Sequence, residues 1–154
     1  MSPTPLRIVR VLRASAEEVF DAWIDPGSLA VWMAPGSVVG SVVEVEARVG
    51  GRFRIVMKGP DCDHEHSGEY LVLDRPRRLV FTWISEATRG RASTVSVEIR
   101  ARGGGEVELT LTHEGLPDEL TAARHRSGWG DILQKLGTAL SAGRDSRGLD
   151  KEQS

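Results

Sequence analysis

The chain has 154 residues, with 20 Lys plus Arg against 22 Asp plus Glu, 40% hydrophobic residues and one cysteine. That length is one domain rather than two, and folding at this size buries about 70% of the unfolded chain's surface. A net charge of −2 argues against nucleic acid as a partner. No apolar stretch approaches the roughly 20 residues that span a bilayer, and a lone Cys62 excludes an internal disulfide, so a soluble, cytoplasmic protein is expected.

Residues 6–13 predict a strand. Ser15, with Glu18 three positions on, predicts a capped helix that carries Val19, Phe20, Trp23 and Ile24 on one face and Glu17, Glu18 and Asp21 toward its N-terminal end. Asp25-Pro26-Gly27 is expected to break it, and a second short helix, about Ser28 to Met33, to stop before Pro35-Gly36.

From Val38 to Glu114 the hydrophobic period shortens from about 3.6 residues to about 2. Phe53, Ile55 and Met57 alternate with Arg52, Arg54 and Lys58; Val95, Val97 and Ile99 with Thr94, Ser96, Glu98 and Arg100; Val107, Leu109 and Leu111 with Glu106, Glu108, Thr110 and Thr112. Such strands have one dry and one wet face, as in an antiparallel sheet solvated on one side. Turn signals at Val49-Gly50-Gly51, Gly59-Pro60, Arg75-Pro76-Arg77, Arg89-Gly90 and Gly103-Gly104-Gly105 divide the region into six hairpin-linked strands.

After Leu116-Pro117-Asp118 the helical period returns. Trp129, Ile132, Leu133, Leu136 and Leu140 form one stripe, with Gly143 placed as a stop. The order β-α-α-β-β-β-β-β-β-α predicts an α+β fold, a curved antiparallel sheet facing one long C-terminal helix. The domain is expected to span residues 5–143, with frayed residues 1–4 and a disordered tail at 144–154.

Aromatic residues are scarce, 3 Phe and 1 Tyr, yet there are 4 Trp. Trp83 shares the alternating face of Leu79 and Phe81, and Trp129 begins the helix stripe that faces it. The two read either as core filling or as opposing walls of a cavity. Trp23, beside Val19 and Phe20, reads as core, and Trp32, near Pro35-Gly36, as a residue of the cavity mouth. His113 continues the dry face of Leu109 and Leu111. It reads as a hydrogen-bonded structural histidine or as a polar anchor or general base, but no nucleophile or second acid is paired with it.

Cys62, His64 and His66 alternate and supply three candidate metal ligands, but they follow Gly59-Pro60 in what reads as a polar hairpin connection, so no metal is assigned. Gly128, Gly130 and Gly137 in the last helix imply a kink, close packing or room for a ligand. Arg7, Arg10, Arg13, Arg52 and Arg54 read as solvated surface.

The run Ala14-Ser15-Ala16-Glu17-Glu18-Val19-Phe20-Asp21-Ala22-Trp23 resembles the START-like (SRPBCC) helix-grip superfamily. So do Gly50-Gly51-Arg52-Phe53, Gly68-Glu69-Tyr70-Leu71, the segment Arg75 to Trp83, and His125, Gly128, Trp129, Leu133 and Leu136 at their spacing. More narrowly, the chain resembles the heat-shock-protein-90 ATPase activator homologue 1-like family. The resemblance implies a helix-grip fold with a cavity between the C-terminal helix and the sheet, used for apolar small molecules. The ligand contacts expected on that basis are Trp32, Phe53, Tyr70, Trp83, Val97, Trp129 and Leu133, with His113 as polar anchor. No catalytic residue, cofactor or metal is assigned, and a homodimer is left open. The alternatives are a cyclase or hydrolase-type enzyme using the same cavity, and a chaperone co-factor or interaction module.

Overall fold

Alternation of apolar and charged residues from Arg52 to Thr112 requires a sheet with one dry face. The structure, a computed structural model describing residues 5–34 and 40–153, builds it from seven antiparallel strands. These are β1 (Leu6–Leu12), β2 (Gly40–Val45), β3 (Arg52–Lys58), β4 (Asp63–Asp74), β5 (Arg78–Ser85), β6 (Ser93–Gly103) and β7 (Glu106–Glu114). Their spatial order is β1-β7-β6-β5-β4-β3-β2, so the first strand closes on the last, with Leu6 opposite His113. The three helices are α1 (Ala16–Ala22), α2 (Pro26–Trp32) and α3 (Glu119–Gln153). The element order is the expected one.

The dry face holds Phe53, Ile55, Met57, Val95, Val97, Ile99, Val107, Leu109 and Leu111, all buried. Trp129, Ile132, Leu133 and Leu136 of α3 belong to the same core cluster. Lys135 of α3 also donates to the Ala34 carbonyl past the end of α2.

The local signals act as their chemistry dictates, with two corrections. Ser15 Oγ accepts from the Glu18 amide at 3.1 Å and the Ser15 amide donates to Glu18 Oε1 at 3.2 Å, a complete capping box. Asp25-Pro26, expected only to break α1, also starts α2: Asp25 accepts from the Ser28 amide at 2.8 Å and Pro26 fills the first helical turn, where its missing N–H costs nothing. Gly143 does not end α3, whose backbone continues to Gln153; one glycine costs a helix only about 1 kcal/mol, and no proline follows to enforce a stop. Pro35-Gly36 and residues 1–4 lie outside the described residues.

One strand irregularity matters for the site. Beyond the Arg75–Arg77 turn, β4 and β5 pair Asp74 with Arg78, Leu73 with Leu79 and Val72 with Val80. A bulge between Tyr70 and Val72 then shifts the register, so Tyr70 meets Phe81 and His66 meets Ser85. A one-residue shift exchanges the two faces of a strand. On β4 the inward positions are therefore Leu73 before the shift and Tyr70, Gly68 and His66 after it. Gly68 has no alternative residue there: a Cβ would lie 1.9 Å from the Thr82 carbonyl oxygen and 2.6 Å from the Phe53 ring.

Candidate functional site

The inner face of the sheet and the first two helices bring the aromatic residues into one cluster. Trp23 sits 4.7 Å from Trp32, 6.2 Å from Phe81 and 6.3 Å from Trp129, ring centre to ring centre, and Trp83 lies 5.1 Å from Trp129. Phe53 reaches Tyr70 at 5.5 Å and Phe81 at 5.4 Å. These are contact distances for aromatic rings. Trp23 is core, as expected, but Trp83 and Trp129 do not stand across a cavity from each other, because their rings touch.

Trp32 is not a mouth residue either. It is 1% exposed, and its indole N–H donates to Ser28 one turn earlier at 3.1 Å, which satisfies its polar edge inside the helix. The void enclosed by Trp23, Leu29, Met33, Phe53, Ile55, Tyr70, Phe81 and Trp83 has a volume of about 10 Å³, no more than one water-sized probe occupies. Val97 and Leu133 are packed core.

His113 points inward, and both of its ring nitrogens are engaged by the protein. An indole N–H only donates, so Trp129 Nε1–H gives its hydrogen bond to an unprotonated His113 Nδ1 at 3.0 Å. The proton is then on Nε2, which donates to Ser93 Oγ at 2.7 Å, and Ser93 passes its own hydrogen to the Trp83 carbonyl at 2.7 Å. Burial, then the charge of His125, pushes the His113 pKa down to about 3. A neutral, doubly bonded imidazole holds α3 to β6 and β7, which is the structural reading of this residue.

The open space lies at one end of the helix–sheet junction. A cleft of about 160 Å³ separates α3 from the ends of β3, β4 and β5, lined by Met57, His66, Trp83, Ala87, Arg124, His125, Gly128, Trp129 and Ile132. It adjoins a wider groove of about 700 Å³, with which it shares Met57, His66 and Ala87, and which adds Asp63, His64, Glu65, Ile84, Ser85 and Glu86. Of the expected contacts, Trp83 and Trp129 line the cleft, while Phe53 and Tyr70 lie beneath it around the closed void.

His66 is the residue that sequence reasoning misplaced. It belongs to β4, not to the connection before it, and its ring lies 4.7 Å from that of Trp83. Burial, with a smaller push from His125, lowers its pKa to about 4, although the His64 carbonyl pulls the other way. Its Nδ1 makes no hydrogen bond of normal geometry. Across the cleft, His125 Nδ1 bonds the Thr121 carbonyl at 2.9 Å, so Nδ1 carries the proton and Nε2 is left as the acceptor. The available sequence signal was the alternation of His66, Gly68 and Tyr70, hidden by the expected polar turn.

Cys62, His64 and His66 do not converge. Cys62 Sγ lies 3.7 Å from His64 Nε2, both exposed, while His66 is turned in toward Trp83. Among the described residues no group of three His, Cys, Asp or Glu is placed to hold a metal ion, and no helix is long and apolar enough to cross a membrane. Of the helix glycines, Gly137 packs on Leu12, 3.4 Å from the place of a Cβ, and Gly128 lines the cleft.

Among solved structures the chain is similar to a protein from Chromobacterium violaceum, 28% identical with a TM-score of 0.81 over 90% of this chain and 98% of that one. It is also similar to the AHSA1 protein from Silicibacter pomeroyi, 26% identical with a TM-score of 0.77 over 91% and 99%. An HSP90 activator from Plasmodium falciparum shares the fold, at 22% identity and a TM-score of 0.73 over 90% and 97%. A comparison with curated proteins finds no match. The family model for Activator of Hsp90 ATPase homolog 1-like protein matches residues 13–141, from the end of β1 through the apolar stripe of α3, and the chain belongs to that family.

Proposed function

We propose that the protein binds an apolar or aromatic small molecule, and that the binding site is the cleft between α3 and the ends of β3, β4 and β5. The observation that carries this reading is the composition of the cleft wall. Met57, Trp83, Trp129 and Ile132 supply apolar surface, and a few polar side chains interrupt it, the pattern of small-molecule sites. About 160 Å³ accommodates a single ring, since a cavity of about 150 Å³ holds benzene, and the adjoining groove extends the space for substituents. Trp83 and Trp129 are the contacts in common with the sequence expectation. Trp32, Phe53, Tyr70, Val97, His113 and Leu133 are buried in the core and do not line the cleft. Catalysis is not part of the proposal, because His113 has no free nitrogen with which to act as a base. Cytoplasmic residence is part of it, on the balanced charge and single cysteine.

Titration with single-ring aromatic compounds, followed by Trp emission, tests the reading. Saturable changes are expected in the wild type and are lost in Gly128→Leu, which adds a side chain at a position lining the cleft. Unchanged emission across the panel refutes it. A second reading, an interaction module for an Hsp90-type chaperone, is favoured by the fold shared with the Plasmodium activator. It requires stimulation of a chaperone ATPase by this chain, and absence of stimulation removes it.

A further inference from the structure

Of the buried side-chain polar atoms left without a hydrogen-bond partner among the described residues, three stand together: Trp83 Nε1, Ser85 Oγ and His66 Nδ1. His66 and Ser85 are directly opposed in the β4–β5 register, which places their side chains on one face. Trp83 lies two residues before Ser85 and shares that face. Trp83 lines the cleft, Ser85 lines the groove, and His66 lines both. Trp83 is 2% and Ser85 8% exposed. Buried polar atoms in folded proteins are paired as a rule, so three adjacent exceptions at the edge of a cavity ask for a partner that is not part of the chain.

We propose that the ligand carries an uncharged oxygen acceptor of the carbonyl kind at one end of its apolar body, and that the Trp83 N–H and the Ser85 O–H donate to it. The inference rests on the cleft being a ligand site. An indole N–H can only donate, so the group it meets must accept. A carbonyl oxygen has two lone pairs for two donors, and its apolar remainder lies along Met57, Trp129 and Ile132. A carboxylate fits less well. The groove beside Ser85 is lined by Asp63, Glu65 and Glu86, and His66 is held neutral by burial. The cation on the cleft wall is Arg124 of α3, and a buried anion in this corner would lose its hydration without gaining a counter-ion from the donor pair. A cationic head would leave the Trp83 N–H, which can only donate, without a partner.

Acetophenone, α-methylstyrene and benzoate are probes of nearly equal shape that differ in this one feature: a carbonyl oxygen, a methylene in its place, and a carboxylate. Titration of the ¹⁵N-labelled full chain follows the indole N–H signals, with Trp83→Phe assigning that of Trp83. Acetophenone is expected to move the Trp83 signal downfield and to bind roughly tenfold tighter than α-methylstyrene, with benzoate weaker than the ketone. Ser85→Ala, which removes an unbonded hydroxyl and so leaves the fold intact, brings the ketone's affinity down toward the hydrocarbon's and leaves the hydrocarbon's unchanged. Equal affinities for ketone and hydrocarbon overturn the polar-end inference while the cleft reading stands. Tightest binding by benzoate overturns the uncharged acceptor and assigns the site to Arg124. Binding by none of the three overturns the cleft reading and this inference with it.

Discussion

Acid should unfold this protein through its buried histidines. An unfolded chain binds protons on histidine as the pH drops below about 6.5. In the folded protein His113 resists to about 3 and His66 to about 4, in both cases chiefly because burial disfavours the charged ring. Between those limits the unfolded state holds more protons, so stability present above pH 6.5 is lost as the pH falls through the window. At about 1.4 kcal/mol per unit, acidification from pH 7 to pH 4.5 removes about 2–3 kcal/mol for each residue, about 5 kcal/mol together. That is a large part of the 5–15 kcal/mol typical of a domain. His125, also lowered by burial and half-buried against His113, adds in the same direction. Urea unfolding followed by Trp emission at the two pH values measures the difference, and His66→Phe, which keeps a ring against Trp83, should remove about half of it. Equal stability at the two pH values, or a loss complete above pH 6, would mean that these histidines are solvated and that the hydrogen-bond chain through His113 is wrong.

Ser93→Ala strands the His113 Nε2–H in the core, and is expected to cost about 1–3 kcal/mol and to lower Tm by about 5 °C in calorimetry. Combined with Trp129→Phe the loss should fall short of additive, because both changes strip the same imidazole. Gly68→Ala drives a methyl into the Thr82 carbonyl and the Phe53 ring, so about 3 kcal/mol or more is expected from urea midpoints, and a cost under 1 kcal/mol would contradict the β4–β5 register. Arg75→Ala removes a two-pronged bond to Asp21 at 2.8 Å on each arm. Both partners are about half exposed, and a shift in Tm of no more than a few degrees is expected.

The fold was legible because its elements depend on short-range rules. Strand alternation, a capping box at Ser15, turn glycines and the stripe from Trp129 to Leu136 each act within a few residues, and they agree with one another. The departures also have local causes: proline is as good an opening for α2 as a close for α1, and a single Gly143 is too weak to stop α3. The site was less legible because it depends on register. Counting back from the Arg75–Arg77 turn without the bulge pairs His66 with Glu86; the bulge at Leu71 pairs it with Ser85 and turns it inward. No local propensity marks that shift, since Glu69-Tyr70-Leu71-Val72 is ordinary strand sequence.

The tryptophans show the same limit from the other side. A scarce aromatic set half made of Trp invites a ligand-binding interpretation, yet the four indoles differ by what meets their N–H groups. Trp32 donates to Ser28 and Trp129 to His113, and each is thereby committed to structure. Trp23 has no acceptor and is enclosed by other rings, with about 10 Å³ of free space beside it, so nothing else can reach it. Trp83 alone combines an unanswered N–H with a face on open space. Large size and aromaticity select residues for the core as readily as for a pocket. Hydrogen-bond satisfaction separates the two uses, and it becomes visible only once the strands are paired.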